Sequence, residues 1–451
     1  MLLGRSAELT QLNHYYDKKG SQTVVLYGQK NIGKTALLKE FSKGKPAAYY
    51  MARSCSEKEQ VYQWYGELGH RAEEKSLPSY ETIFSEMFQK QQGKNILIIE
   101  EFQNLLKPGF TFMRELDSFL HGYEGEVLVI LCSSSVGWVE NSMVRKMGET
   151  AYLLSGLLKI KELKFKDCMQ FFPHFTKQES IEVYAILGGF PGLWMYFDDC
   201  LSVRENIINC LLKKSGPLSG EAKQLLTEEL RETAVYNTIL ASLAKGNHKL
   251  NDLYLHTGFS RAKISVYLKN LMELEIVEKV FSYDTEGYEN AQKGMYRISN
   301  RFLHFYYLFM YPYMSSLQIK KPEDFYREFI AGKLNGYVAG YFKSVCMEHM
   351  EEMNGRGMLP FVYERSGEWV GKVGNIDIVV QDENDNTLLA VCNYEQPVMT
   401  YDDYERLLDC AVKARLTAGY VFLYSTGQFD EKLQAQAAEQ KNITLVSMQE
   451  L

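Results

Sequence analysis

The feature that most constrains the fold is a short apolar run, residues 24–27, that leads directly into Gly28-Gln29-Lys30-Asn31-Ile32-Gly33-Lys34-Thr35. Residues 36–40 then have the composition of a helix. The loop matches the Walker A pattern G-x-x-x-x-G-K-[ST]. Its glycines let backbone N–H groups curl around a phosphate, and the following helix directs its positive N-terminus at the anion. A strand, this loop and a helix, in that order, predict a parallel α/β sheet. The strand candidates of this sheet are residues 23–27, 47–51, 95–100 and 127–132.

The loop predicts that the chain binds ATP or ADP together with Mg²⁺. Lys34 is expected to reach the β- and γ-phosphates, and Thr35 is expected to ligate the metal. The remaining predicted nucleotide contacts come from the loop and the first helical turn: Gly28, Gln29, Lys30, Asn31, Ile32, Gly33 and Ala36. A loop with accidental glycines is the competing interpretation, and the strand before the loop and the helix after it disfavour it.

Two further strands are expected to bring polar residues to the same edge of the sheet. Residues 95–99 are apolar and end in Glu100 and Glu101. We assign Glu100 to the Mg²⁺ site and Glu101 to the attacking water, so that Lys34 and Glu101 are the predicted catalytic residues. An Asp is usual at the first position, and the extra methylene of Glu100 leaves the rate of hydrolysis open. After residues 127–132, Ser133 or Ser134 is expected to sense the γ-phosphate, unless the hydroxyl only caps a helix.

Composition indicates a folded protein of several domains. The chain has 451 residues, of which 46% are hydrophobic, and a net charge of −7, which argues against a nucleic-acid coat over the whole surface. The eight cysteines are scattered singly, without zinc-finger or C-x-x-C spacing, which favours reduced thiols. The most apolar stretch, residues 302–314, is too short to span a bilayer. We expect a cytoplasmic protein without a membrane segment.

The sequence resembles the archaeal-type ATPase family, a branch of the STAND/AAA+-like P-loop NTPases. The resemblance is carried by Leu3-Gly4-Arg5, the phosphate loop, Glu100-Glu101-Phe102-Gln103, Cys132-Ser133-Ser134 and Gly188-Gly189-Phe190-Pro191. It implies that Gly4 and Arg5 lie by the nucleotide base and that Pro191, in a helical lid, faces the nucleotide. A plain helix-breaking turn is the alternative for the last motif. The family usually carries an Arg in a Leu-x-Gly-Arg context. Here Leu154-Ser155-Gly156-Leu157 lacks it, and Arg145 does not match the motif.

Residues 235–271 have the spacing of a helix-turn-helix, and residues 278–297 would form its wing. Ser260 is expected to cap the recognition helix. The candidate DNA contacts on that helix are Arg261, Lys263 and Lys269. The following segment is acidic, which disfavours phosphate contact; its acids are Glu273, Glu275, Glu278, Asp284, Glu286 and Glu289. Both contact with duplex DNA and packing within the protein stay open.

The last part of the chain is expected to begin with a helix near residues 325–352, and it resembles a restriction-endonuclease-like PD-(D/E)xK domain. That chemistry needs an acid on one strand and Glu-x-Lys on the next, together holding Mg²⁺. Asp377 supplies the first acid, but the next strand reads Ala390-Val391-Cys392-Asn393. Glu395 could supply a displaced carboxylate by period-two spacing, although no lysine accompanies it. We expect an inactive domain used for binding, in which Asp377 is a surface or turn-facing acid.

Together these patterns predict an α/β protein: a P-loop NTPase parallel sheet with a helical lid, an α+β winged helix and a small α/β nuclease-like domain. The expected boundaries are 1–160, 161–228, 229–300 and 301–451. The leading hypothesis is an Mg²⁺-dependent ATPase that acts as a nucleotide-driven switch, with an unknown protein as a further partner. A nucleotide-gated, DNA-binding regulator is the alternative, and an active nuclease is the least favoured.

Overall fold

The strand that precedes the phosphate loop lies inside a five-stranded sheet. In the computed structural model, which describes residues 2–70, 77–88, 93–285 and 294–451, the chain forms two units. The N-terminal unit contains the chain up to Glu162 together with Phe190–Gly192 and Glu273–Glu275. The C-terminal unit contains Leu163–Gly189, Leu193–Met272 and Ile276–Leu451.

The sheet of the N-terminal unit is parallel throughout and has the order β2-β3-β4-β1-β5. Its strands are β1 (Gln22–Tyr27), β2 (Ala47–Met51), β3 (Asn95–Glu100), β4 (Val127–Ser133) and β5 (Leu154–Lys159). The first four were predicted and are confirmed to within one residue, whereas β5 was not predicted. Strands β1, β3 and β4 are buried along their whole length, which is why they read as continuous apolar runs.

Helices cover this sheet and bury an aromatic core against it. The Trp64 ring stacks on Tyr50 of β2 with ring centroids 4.0 Å apart and an interplanar angle of 3°. Trp64 and Tyr50 are both fully shielded from water, and such a pair stabilises a core beyond the area that it buries. The helices are α1 (Ser6–Asp17), α2 (Lys34–Phe41), α3 (Glu57–Glu67), α4 (Tyr80–Phe88), α5 (Phe112–Gly122), α6 (Val136–Trp138) and α7 (Val144–Met147).

The first half of the C-terminal unit is mostly helical. Its helices before the winged helix are α8 (Phe165–Phe171), α9 (Lys177–Leu187), α10 (Pro191–Trp194), α11 (Val203–Asn206) and α12 (Glu221–Glu229), of which α10 begins in the short segment assigned to the N-terminal unit. In α9 the side chain of Thr176 accepts from Glu179 N, and the Glu179 carboxylate accepts from Thr176 N. This capping box satisfies two donors at the helix start.

A winged helix follows, as the spacing predicted. It contains α13 (Thr233–Ala244), α14 (Leu250–Thr257), α15 (Arg261–Glu273) and the antiparallel strands β6 (Val277–Val280) and β7 (Met295–Ile298). Gly258 ends α14 with φ of 71°, a left-handed conformation that glycine adopts at little cost. Ser260 Oγ accepts from Lys263 N, as expected of a helix cap. Glu286 and Glu289 of the predicted acidic wing lie outside the described residues.

Further helices lead into the last domain: α16 (Arg301–Phe305), α17 (Met314–Ile319), α18 (Pro322–Phe329) and α19 (Leu334–Gly355). The sequence predicted one helix from about residue 325 to residue 352, and this is wrong. The helix is interrupted between Phe329 and Leu334, and Gly332 in this interval disfavours a continuous helix. No helix among the described residues has the length and apolarity needed to cross a membrane.

The last domain is a mixed sheet with two helices. Its strands run in the order β14-β12-β10-β9-β8, in which β10, β12 and β14 are parallel and β9 is antiparallel to both neighbours. Its elements are β8 (Arg365–Val370), β9 (Asn375–Gln381), β10 (Thr387–Asn393), β11 (Val398–Met399), α20 (Tyr401–Ala414), β12 (Tyr420–Ser425), β13 (Gln428–Phe429), α21 (Glu431–Glu439) and β14 (Ile443–Ser447). The whole chain is therefore α/β, as predicted, with a P-loop sheet, a winged helix and a small mixed-sheet domain.

Candidate nucleotide-binding site

The loop between β1 and α2 holds the Lys34 side chain inside its own backbone. Gly33 precedes α2 with φ of 96°, a left-handed conformation open to glycine, so the chain can turn sharply before the helix starts. Lys34 Nζ donates to Gly28 O at 2.7 Å and to Gln29 O at 3.1 Å. The ammonium group therefore lies at the centre of the loop, where phosphate oxygens are expected to bind.

Thr35 and Glu100 meet at the carboxyl edge of the sheet. Thr35 Oγ1 donates to Glu100 Oε1 at 2.7 Å, and Glu100 is only 8% exposed. Thr35 is the second residue of α2 and Glu100 the last of β3, so parallel strand ends bring together residues that are 65 positions apart. A hydroxyl and a carboxylate are hard oxygen donors, and this donor set fits Mg²⁺. The side chain of Glu100 is one methylene longer than that of the usual Asp, and its carboxylate still contacts the Thr35 hydroxyl directly.

Glu101 is fixed beside this pair by two side chains. Its backbone has φ of 53°, an uncommon left-handed conformation for a residue other than glycine. Gln103 Nε2 donates to Glu101 Oε2 at 2.5 Å, and Ser134 Oγ donates to the same oxygen at 2.9 Å. Ser133 is instead fully buried and accepts from Ser135 N at 3.2 Å. Of the two serines considered as sensors, Ser134 is the one that touches the predicted water-orienting acid.

Two neutral groups flank Glu100. Burial raises the pKa of the Cys132 thiol well above its ordinary value, and the Glu100 charge raises it further. Burial also raises the pKa of Tyr49, and a hydrogen bond with Glu100 adds to this effect. Both groups therefore stay protonated at neutral pH and add no negative charge to the predicted metal site.

Arg5 stabilises the loop through a hydrogen bond with its backbone. Its Nη2 donates to Ile32 O at 2.8 Å, and its Nη1 lies 2.9 Å from Glu8 Oε1. Arg5 is 3% exposed, so the ion pair with Glu8 is shielded from water. The resemblance implied that Gly4 and Arg5 lie by the nucleotide base; the structure gives Arg5 a contact with the loop backbone. That base contact stays a prediction.

The segment that contains Pro191 lies against the loop. Gly192 N donates to Asn31 O at 2.9 Å, and a Cβ atom on Gly192 would lie 2.9 Å from the Asn31 Cα. Only glycine allows this approach. A Cβ on Gly33 would likewise lie 3.2 Å from the Pro191 ring. Pro191 is therefore next to the loop, and the motif does more than break a helix.

Gln29 connects the loop to a residue far along the chain. Its Nε2 donates to Glu275 O at 3.2 Å and lies 3.4 Å from Glu275 Oε2. Lys159, the last residue of β5, reaches Glu275 Oε1 at 2.5 Å and Glu140 Oε1 at 2.8 Å. Burial lowers the pKa of Lys159, but hydrogen bonds with Glu140 and Glu275 raise it above its ordinary value overall. Sequence patterns gave no signal for this cluster, because 246 residues separate Gln29 from Glu275.

The three basic residues proposed for DNA contact are all exposed on α15, whose opposite side packs inward. The Arg261 guanidinium lies over the Tyr254 ring at 4.2 Å, and Lys263 Nζ lies 4.8 Å from the centre of the Phe259 ring. These stacks orient the two cations without neutralising their charge. Lys269 lies two turns further along the same helix.

Asp377 lies within β9 and not in a turn, and its partly buried side chain lines a cleft. Its Oδ2 accepts from Cys392 N at 2.9 Å, and burial raises its pKa. Glu368 of β8 borders the same cleft of about 520 Å³. Arg297 binds Glu368 at 2.9 Å, and Lys343 forms a second ion pair with it. The absence of nuclease activity stays a prediction.

Glu395 does not continue the strand face that contains Asn393. Strand β10 ends at Asn393, whose Oδ1 accepts from Gln396 N at 3.0 Å and whose Nδ2 donates to Gln396 O at 2.9 Å. These bonds close a turn in which Glu395 is exposed. The period-two argument for a displaced carboxylate therefore fails, because the strand stops two residues earlier.

Three family models match the chain. Residues 2–197 match an ATPase domain found predominantly in archaea. Residues 237–279 match the arsR family of bacterial regulatory proteins, and residues 306–406 match a domain described as archaea bacterial proteins of unknown function. The resemblance predicted for the N-terminal part is confirmed, and so is the helix-turn-helix.

Whole-chain similarity extends to an uncharacterized protein of Methanocaldococcus jannaschii, which is 28% identical over 87% of each chain. Among solved structures, the chain resembles the Walker-type ATPase PABY2304 of Pyrococcus abyssi, with 15% identity, 68% of this chain and 96% of that chain covered, and a TM-score of 0.47. It also resembles the ORC2 protein of Aeropyrum pernix, with 13% identity, coverage of 70% and 94%, and a TM-score of 0.45. The chain is thus similar, in order along the sequence, to an ATPase domain found predominantly in archaea, to a bacterial regulatory family and to a domain of unknown function.

Proposed function

We propose that this protein is an Mg²⁺-dependent ATPase that acts as a nucleotide-driven switch. The observation that supports it is that Lys34 and Gln29 belong to one loop. The Lys34 ammonium donates hydrogen bonds to carbonyl oxygens of the loop, and the Gln29 side chain donates to Glu275, the second residue after α15. A ligand that takes Lys34 away from those carbonyls therefore acts on Glu275, which lies between α15 and β6 of the winged helix.

Thr35 and Glu100 would hold the Mg²⁺ ion, which neutralises phosphate charge when it is bound. Lys34 would exchange two neutral carbonyl acceptors for phosphate oxygens, and hydrogen bonds between charged groups are the stronger ones. Glu101 would orient the attacking water and accept its proton. Gln103 and Ser134 fix the Glu101 carboxylate, so that its position does not depend on solvent.

The coupling step uses contacts within the N-terminal unit. When Lys34 leaves Gln29 O, the peptide at Gln29 loses one of the bonds that fix its orientation. The Gln29 side chain then no longer holds Glu275 in the same place, and Lys159 remains as its ionic partner. Glu275 has φ of 57°, a sparsely populated backbone conformation that depends on such contacts.

Replacing Lys34 by alanine is expected to weaken ATP binding by about 10- to 100-fold, since a charged hydrogen bond contributes about 1.5–3 kcal/mol. Isothermal titration of the purified protein with Mg²⁺-ATP measures this loss. Lys39→Ala is the matched control, because Lys39 lies on the same helix but is exposed. Equal affinities of the two variants would contradict the placement of the nucleotide in this loop.

Replacing Glu101 by glutamine is expected to preserve ATP affinity and to lower turnover by about 10²- to 10⁴-fold, the range of general-base catalysis. Glutamine keeps the size of the side chain and can still bond with Ser134, so binding and folding should not change. Phosphate release at saturating ATP gives the rate. If this variant turns over ATP at the wild-type rate, Glu101 does not have the assigned role.

Replacing Gln29 by alanine is expected to leave ATP affinity within about threefold of wild type, because the lost bonds are to Glu275 and not to phosphate. Hydrogen–deuterium exchange of peptides that cover residues 273–280 should respond to a non-hydrolysable ATP analogue in the wild type and in Lys39→Ala, but not in Gln29→Ala. A ligand-dependent change of equal size in all three proteins would refute coupling through Gln29.

A second function, a nucleotide-gated, DNA-binding regulator, is favoured by the match of residues 237–279 to a regulatory family and by the exposed cations of α15. The acidic segment after α15 opposes phosphate contact less than its composition indicates. Glu278 is paired with Arg297 at 2.6 Å and Glu275 with Lys159. Their charges are therefore compensated within the protein.

If duplex DNA binds α15, the double change Arg261→Ala and Lys263→Ala should weaken binding and reduce the slope of log affinity against log salt by about two. Fluorescence anisotropy over a salt series measures that slope. The double change Lys213→Ala and Lys214→Ala is the control, because it removes the same charge from exposed lysines outside the winged helix. Identical slopes for both double variants would exclude DNA contact through α15.

A further inference from the structure

Three residues with metal-binding side chains converge in the helical part of the C-terminal unit. His174 lies between α8 and α9, and Asp199 and Cys200 lie in the segment before α11. One ligand atom of each lies within 4.8 Å of the others. Among the described residues, no other group of three or more His, Cys, Asp and Glu side chains meets this criterion.

The contact between His174 and Asp199 fixes the two segments together. His174 N donates to Asp199 Oδ2 at 2.9 Å, and His174 Nδ1 lies 3.1 Å from the same oxygen. A second exposed pair in the chain, His121 and Asp117, has a similar separation of 3.0 Å but no thiol beside it. Cys200 is what distinguishes the cluster from an ordinary ion pair.

The segment that contains Asp199 and Cys200 is held by a buried amide. Asn206 is 1% exposed, and its Oδ1 accepts from Asp198 N at 2.8 Å. Its Nδ2 donates to Asp198 O at 2.7 Å and to Leu201 O at 3.2 Å. Asp198 Oδ1 in turn accepts from Cys200 N at 2.9 Å. The backbone is therefore ordered before any ligand binds, which lowers the entropic cost of binding.

We propose that His174, Asp199 and Cys200 form a binding site for a zinc ion. An imidazole nitrogen, a thiolate and a carboxylate are the three kinds of donor that zinc takes, and zinc with three protein ligands leaves a fourth position for water. The thiolate excludes Mg²⁺ and Ca²⁺, which prefer oxygen donors. Cys200 and His174 are both exposed, so an ion reaches the site without opening the fold. Bound zinc would connect the segment between α8 and α9 to the segment before α11.

Cobalt is the direct probe, because Co²⁺ in a tetrahedral site with a thiolate ligand gives a charge-transfer absorption in the near ultraviolet. The full-length protein, freed of any histidine tag and of metal, should show this band at a one-to-one ratio and lose it when Zn²⁺ is added. Cys200→Ser should abolish the band, and His174→Ala should weaken Zn²⁺ binding at least about tenfold.

Two control variants distinguish the site from general thiol or histidine binding. Cys55→Ser removes a half-buried cysteine, and His121→Ala removes the other exposed histidine that is paired with an aspartate. Both should keep the band and the wild-type Zn²⁺ affinity. Absence of the band in the wild type, its persistence in Cys200→Ser, or equal loss in the control variants would each overturn the proposal. The measurement does not involve ATP, so its failure leaves the proposed ATPase function untouched.

Discussion

The interaction on which the site depends is the bond between the Lys34 ammonium and the carbonyl oxygens of Gly28 and Gln29. A cation among backbone carbonyl dipoles fixes the conformation of the loop. In the proposed function the same cation exchanges these acceptors for phosphate oxygens, which are charged and bind it more strongly. Arg5 and Gly192 fix the outside of the loop through Ile32 O and Asn31 O. The loop is therefore held from both sides.

Different side chains around the loop carry the proposed binding and the proposed chemistry. Thr35 and Glu100 form a pair shielded from water that suits a metal ion, whereas Glu101 is oriented by Gln103 and Ser134. The contact between Gln29 and Glu275 takes part neither in the proposed binding nor in the proposed chemistry. It joins the loop to Glu275, the second residue after α15, and this contact is the observation behind the proposed switch. Distances between donor and acceptor atoms, and not fold similarity, support this division.

Sequence patterns were most informative where one interaction dominates. Buried parallel strands must be apolar along their length, so four strands were predicted to within one residue. They were less informative where burial and turns compete with periodicity. The predicted helix from residue 325 to residue 352 is interrupted between Phe329 and Leu334, and the expected strand position of Glu395 is lost in a turn closed by Asn393. The turn is closed by local bonds between Asn393 and Gln396, which a strand periodicity does not take into account.

The sequence by itself determined the phosphate loop, the acidic pair after β3 and the helix-turn-helix, because each of these lies within one short segment whose local geometry its residues specify. Only the tertiary structure decided that Gln29 meets Glu275, that Glu368 pairs with Arg297 and Lys343, and that His174 meets Cys200. These pairs are formed by residues that lie far apart in the chain. No local pattern encodes them, since their distances are set by how helices and strands pack and not by spacing along the sequence.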